Sequence, residues 1–246
     1  MHRFFAPSLD PGDDIVELPR EEAEHLSRVL RLGAGDSVAV FNGRGDEFLA
    51  RVVAADRRDV RVELQSRIEA APEPRVSTTL VQAVLKGDKM DDVVRDAVMM
   101  GVATVQPIVS RRSETSVAAL VRGARLERWR RIALASVKQS RRAVLPEILT
   151  PLTFESWLAE PPSDVRLMFV EPGIDGAEPM ATLRTEPVPA SAAVIVGPEG
   201  GWDPSECQAA ATRGVRRMSL GARTLRADAV PVAALSVLDF LWDASC

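Results

Sequence analysis

The chain has 246 residues, of which 46% are hydrophobic and 27% charged, with a formal net charge of −4, enough apolar material for one large domain or two small ones. No apolar run reaches the roughly 18 residues that a membrane-spanning helix needs. The opening MHRFFAPSLDPGDD lacks the apolar core of a signal peptide, so the expectation is a cytoplasmic protein with no membrane association. Cys207, Cys246, His2 and His25 are the only cysteines and histidines, and their spacing fits neither a metal centre nor a disulfide framework, which predicts no metal and reduced thiols.

Residues 1–71 read mainly as strands. One helix is expected over 20–32, stopped by Gly33, and then DSVAVF, EFLARVVAA and DVRVELQS alternate with the period of half-buried strands. Asn42-Gly43 predicts a hairpin turn, and short strands joined this way suggest a small barrel. The Pro-rich, charged stretch at residues 69–75 is the expected linker.

A second domain, 76–246, follows. Strands VSTTLVQAVL, VATVQPIV, VRLMFV, AAVIV and VRRMSL alternate with helices expected over 88–100, 121–142, 203–213 and 227–243, an α/β pattern with a mostly parallel sheet. Residues 172–189, rich in Gly, Pro and acids, are expected to form a loop near a ligand. Charge is unevenly spread. Residues 111–142 carry ten basic side chains against Glu114 and Glu127, and residues 213–226 add five arginines with no acid. Such islands suit a polyanion, because binding depends on the local field; the alternative is a solvated helix face.

The run IVGPEGGWDPSE, residues 195–206, joins an apolar strand to a helix through a glycine-rich turn. Asp203 is placed to cap that helix, Pro204 suits its first position, and Glu206 completes a capping box. Gly197, Gly200 and Gly201 let a flat ligand approach the backbone. Glu199 argues against a phosphate cradle, and neither a P-loop nor GxGxxG is present, so a neutral or cationic ligand fits better. A second strand-to-turn segment, RRMSLGARTLRADAV at residues 216–230, is placed to build the same pocket.

GPEGG followed by LGxRxLR, with KGDKMD and MGVATVQPI upstream and RFFAP and HLSRVLRLGAGD near the start, resembles the bacterial small-subunit ribosomal RNA uridine-N3 methyltransferases of the SPOUT superfamily over nearly the whole chain. The resemblance implies a small PUA-like RNA-binding β-barrel, a C-terminal trefoil-knotted α/β domain with a mostly parallel sheet, S-adenosyl-L-methionine as cofactor, and a homodimer acting on ribosomal RNA or the small ribosomal subunit. It places the cofactor against Val170 and Glu171, against Gly197, Pro198, Glu199, Gly200 and Gly201, and against Ser219, Leu220, Gly221, Leu225 and Arg226. The sequence departs from the family at Met100, where a Glu commonly precedes Gly-Val, and at Lys138, where a Glu commonly precedes Gln.

Methylating uracil N3 requires an accessible base, a route for its proton and in-line approach to the sulfonium methyl. Arg226 and then Arg223 are the candidates to stabilise the developing uracil anion, their alternative being phosphate or interface contact. Asp228 either accepts the proton through water or caps the final helix. Glu199 either contacts the cofactor's amino groups or accepts backbone N–H bonds within its loop. RNA contacts are expected from Arg3, from His25, Arg28 and Arg31 on one helix face, and from Arg111, Arg112, Arg141 and Arg142. Aromatics make up only 4% of the chain, which predicts recognition of shape, phosphates and a single extruded base rather than stacking; for Trp129 and Trp202 core or interface packing is expected, the alternative being contact with nucleic acid or cofactor. Two other functions remain open: methylation of a different RNA nucleotide, and a noncatalytic RNA-binding assembly factor.

Overall fold

Residues 1–56 and 59–242 are described by the computed structural model; Cys246, and residue 243 at the end of the last expected helix, lie outside the described residues. The chain divides into two compact units, Met1–Glu73 with Val137–Leu145, and Pro74–Ser136 with Pro146–Cys246.

The first unit is built on strands β1 (Arg3–Phe5), β2 (Ile15–Glu17), β3 (Ser37–Phe41), β4 (Glu47–Ala55) and β5 (Val60–Arg67), in the order β1-β3-β4-β5-β2. Only the β1–β3 pair is parallel. The period-two pattern is realised most cleanly in β5, where Val60 and Val62 are buried while Arg61 and Glu63 face out. Phe4, Leu9, Leu18, Leu26, Val38, Val40 and Val52 close the core beneath the sheet. The Asn42-Gly43 signal marks a turn, but one five residues long. Asn42 Oδ1 accepts from the N–H of Arg44 at 2.8 Å and of Asp46 at 3.2 Å, a side-chain-built turn that replaces the two-residue hairpin. Gly43 has φ +78, and a Cβ there would meet Phe5 Cε2 at 2.9 Å.

The expected helix over 20–32 is shorter and irregular. Helix α1 (Arg20–Glu24) runs into one wide turn, His25–Val29, closed by Leu30 N–H to the His25 carbonyl at 3.0 Å. Arg31 lies beyond it with φ +56, so the helical spacing expected to set Arg28 and Arg31 side by side does not apply.

Residues 137–145 are tied to this unit by Arg3. Its guanidinium reaches Glu47 through two bonds of 2.8 Å and the carbonyls of Val137, Lys138 and Arg142, also at 2.8 Å, and lies 4.8 Å from the Phe41 ring centre. Arg142 is buried and paired with Glu73. Of the residues expected to contact RNA, Arg3 thus turns its donors inward and Arg142 is buried against Glu73, where a buried cation needs its partners. Lys138 pairs with Glu22, so the departure from the family at this position is matched by an acid of the same unit.

The second unit follows the expected alternation. It contains β6 (Ser77–Ala83), α2 (Lys89–Met99), β7 (Thr104–Val109), α3 (Val117–Arg122), α4 (Arg125–Ser140), β8 (Glu147–Ile148), β9 (Leu152–Thr153), α5 (Phe154–Leu158), β10 (Val165–Phe169), β11 (Glu178–Pro179), β12 (Ser191–Val196), α6 (Pro204–Thr212), β13 (Arg216–Ser219) and α7 (Val230–Trp242). The strand order is β11-β13-β10-β12-β6-β7-β8, with β9 also on β7, and every pairing is parallel. Central strand β12 is buried from Ala192 to Val196, as a strand covered on both faces must be. The single helix expected over 121–142 is two helices, broken at Gly123, and α4's last residues belong to the first unit. Among the described residues no helix is long and apolar enough to cross a membrane.

Candidate functional site

In an open parallel sheet, connections leaving the carboxyl ends of neighbouring strands share one edge, and a crevice forms where the chain departs to opposite sides. Here Phe169 of β10 pairs with Val196 of β12 and with Met218 of β13. The connections after all three strands line a cleft of about 630 Å³, within the usual range of about 300–1,000 Å³ for small-molecule sites.

The glycine-rich turn forms the floor. A Cβ on Gly197 would stand 3.0 Å from the Trp202 ring, and Gly201 has φ +70, so both positions require glycine. Trp202 itself is fixed by its Nε1–H donating to the Phe169 carbonyl at 3.0 Å and by the Phe154 ring at 4.9 Å. Beneath lie Val81, Ile108, Met168, Ile195 and Ala210, a dry layer that stiffens the turn. The capping box is present as expected: Asp203 accepts from Ser205 N–H at 3.0 Å, and Glu206 accepts from Asp203 N–H at 3.0 Å. Glu206 also accepts from Arg111 N–H at 2.9 Å, which fastens the segment after β7 to the start of α6.

Two basic side chains grip successive residues of the turn. Lys89, opening α2, donates to Glu199 at 2.8 Å, and the same carboxylate oxygen accepts from Lys86 N–H at 3.2 Å. Arg112 donates to the Gly200 carbonyl at 2.8 Å. Burial alone would raise the Glu199 carboxyl, but Lys89 and the surrounding N–H groups outweigh it and hold it below the ordinary range. These contacts serve loop stabilisation, one of the two roles foreseen for Glu199, with Lys89 as a partner that pattern reading missed although KGDKMD contains it. Arg112 lines the cleft, a placement not anticipated for a residue read as a phosphate ligand.

The opposite wall carries Leu220, Arg223, Leu225, Arg226 and Asp228, and Val170 and Glu171 close the third side. Ser219 and Gly221 stand next to this wall without lining it; the Ser219 hydroxyl donates to the Glu178 carbonyl at 3.5 Å. Arg226 Nε and Nη2 donate to the two oxygens of Asp228 at 3.0 and 2.9 Å, and this hydrogen bonding holds the Asp228 carboxyl below its ordinary range. Helix α7 begins at Val230, two residues further on, and the Asp228 carboxylate is engaged by Arg226. Burial pushes the Cys207 thiol, also on the lining, up. His25, Arg28, Arg31 and Arg141 are exposed and belong to the first unit, whereas Arg111 and Arg112 belong to the second. Neither Met100 nor Lys138 lines the cleft.

These residues fit an adenosine-bearing sulfonium cofactor: a glycine-rich turn over an apolar layer, with carboxylates on the lining. Comparison with known proteins agrees. An RNA methyltransferase domain model matches residues 72–239, and an RNA methyltransferase PUA domain model matches residues 18–65. The chain is 30% identical over 230 residues to ribosomal RNA small subunit methyltransferase E of Synechocystis, covering 93% of this chain and 74% of that one. It is 29% identical to the Aquifex aeolicus protein of the same name, covering 97% and 99%. The crystal structure of ribosomal RNA small subunit methyltransferase E from Neisseria gonorrhoeae bound to S-adenosyl methionine superposes with a TM-score of 0.87 at 30% identity, covering 98% of both chains. With a curled PUA-like sheet, an all-parallel second sheet and a model match across most of its length, the chain belongs to the RNA methyltransferase family that includes the ribosomal RNA small subunit methyltransferase E proteins.

Proposed function

We propose that this protein is an S-adenosylmethionine-dependent methyltransferase of small-subunit ribosomal RNA that modifies N3 of one uridine, working in the cytoplasm as a homodimer with the trefoil-knotted threading its family resemblance implies. The observation that carries this reading is the cleft itself, in which a glycine-rich floor faces an arginine-bearing wall. The cofactor, when bound, supplies an electrophilic methyl group. Everything else falls to side chains of the cleft. Gly197, Gly200 and Gly201 admit the adenosine close to the backbone, and the layer under Trp202 excludes water. Arg226 and Arg223 stabilise negative charge on the uracil as the N3 proton leaves to water. Asp228, kept ionised, orients Arg226 and offers an acceptor at the same point.

Exposed arginines Arg28, Arg31 and Arg141 supply phosphate contacts. Phe240, 65% exposed on α7, is the kind of apolar surface a partner subunit covers. The departures from the family at Met100 and Lys138 would favour a noncatalytic protein if they altered the site, but neither residue lines the cleft.

The test is incubation of the protein and labelled S-adenosylmethionine with unmethylated small ribosomal subunits, followed by mass mapping of nucleosides. A single 3-methyluridine is the expected product. Transfer to another base, or no transfer while the cofactor still binds, overturns the assigned acceptor.

A further inference from the structure

Three acids line the cleft, Glu171, Glu199 and Asp228, together with four basic residues, Lys89, Arg112, Arg223 and Arg226. Most of this charge is already committed. Glu199 takes the Lys89 ammonium at 2.8 Å and the Lys86 N–H at 3.2 Å. Both oxygens of Asp228 take the Arg226 guanidinium. Arg112 is bonded to the Gly200 carbonyl and stands 4.0 Å from Asp203. Glu171 differs: among the described residues no basic side chain pairs with its carboxylate, which overhangs the floor so closely that a Cβ on Gly201 would lie 3.4 Å from Oε1.

A cleft-lining carboxylate without a counter-charge gains most from a cation that enters beside it, because bound ligand displaces the water that screens it. S-adenosylmethionine carries two positive groups, the sulfonium and the α-ammonium. We propose that Glu171, and not Glu199, is the acid that receives the cofactor's positive charge. Glu199 serves the turn: through Oε1 its carboxylate ties the loop to α2, and the Lys89 ammonium beside it already offsets the charge that a ligand cation would meet. This inference rests on the cofactor assigned under the proposed function and adds the residue that reads its charge.

The experiment measures, by calorimetry, binding of S-adenosylmethionine, of S-adenosylhomocysteine, which keeps the ammonium but lacks the sulfonium, and of methylthioadenosine, which lacks both. Wild type, Glu171→Gln, Glu171→Asp and Glu199→Gln are compared, with thermal melting of each as the check on folding. Glu171→Gln should weaken S-adenosylmethionine roughly tenfold or more, the scale of one charge-assisted hydrogen bond, and leave methylthioadenosine unchanged, with Glu171→Asp in between. A parallel loss for S-adenosylhomocysteine assigns the contact to the ammonium, and retained binding assigns it to the sulfonium; either supports the proposal. Glu199→Gln should weaken all three ligands alike, as a loosened floor does. The proposal is overturned if Glu171→Gln leaves S-adenosylmethionine affinity intact, if it weakens methylthioadenosine equally, or if the cation-selective loss appears in Glu199→Gln. Wild-type protein that binds none of the three would instead remove the cofactor assignment itself.

Discussion

Arg226 and Asp228, two residues apart at the entrance to α7, form a two-point ion pair in which the arginine is 73% exposed and the aspartate 24%. The pair fixes where the guanidinium points while leaving its outer face to the cleft. Because the Arg226 hydrogen bonds hold the Asp228 carboxyl below its ordinary range, the working form is the ionised one. That form persists as pH rises and is lost only as pH falls through the lowered value, on the acid side of the ordinary carboxylate range of about 4. Between pH 6 and 8 the turnover number should therefore show no limb from Asp228. Asp228→Asn should lower turnover roughly tenfold or more by releasing Arg226, with Asp228→Glu restoring part of it. A neutral-pH limb that vanishes in Asp228→Asn would show instead that Asp228 titrates as a base near neutrality.

Lys89 and Arg112 hold adjacent residues of the glycine turn from opposite connections of the sheet, one after β6 and one after β7. A turn fixed before the ligand arrives saves ordering cost on binding. Lys89→Ala and Arg112→Ala should each raise the dissociation constant for S-adenosylmethionine by roughly five- to tenfold, with a smaller effect on turnover at saturation. For Arg112 the measurement also separates two roles. A phosphate ligand would lower the salt dependence of RNA binding by about one unit when removed, whereas a turn-positioning residue leaves that slope alone. The unchanged slope is the expected result.

Periodicity and turn chemistry carried the second unit well. AAVIV could only be a covered strand, and the Asp203, Pro204 and Glu206 sequence announced the start of α6 from local bonding alone. What sequence could not supply was the partner of each charged side chain. Arg3 and Arg142 look like any surface arginine until the fold brings Glu47 and Glu73 to them, and Arg112 reads as part of a basic run until Gly200 is set beside it. Lys89 lies 110 positions before Glu199, a pairing set by the strand order β12-β6 and by no local pattern. The same limit hid the irregular turn after α1, since HLSRV has the apolar spacing of a regular helix and only φ +56 at Arg31 ends it.

Gly197 sits against the face of Trp202, with only 3.0 Å available where a Cβ would go. Gly197→Ala must push the indole away from the Phe169 carbonyl and from Phe154, an overpacking of a rigid floor that costs roughly 1–3 kcal/mol. The variant should melt lower, bind cofactor more weakly and show altered tryptophan fluorescence. Cofactor affinity equal to wild type with an unshifted spectrum would mean that the floor yields where its packing says it cannot.

Arg3 anchors residues 137–145 to the first sheet through Glu47, whose side chain is only 5% exposed against 10% for Arg3. Truncating the arginine leaves a buried carboxylate uncompensated and strips three carbonyls of their donor, a loss of roughly 3–5 kcal/mol. Arg3→Met should accordingly destabilise the first unit and speed amide exchange or proteolysis at residues 137–145. Adding Glu47→Gln should recover part of the loss, because the stranded charge is then removed. Arg141→Ala, the exposed neighbour of Arg142, should do the reverse, weakening RNA binding while the melting temperature stays put. If Arg3→Met weakened RNA binding at unchanged stability, the anchor would be a phosphate ligand after all, and the segment would owe its place to the backbone bonds of Gly43 and Gly45.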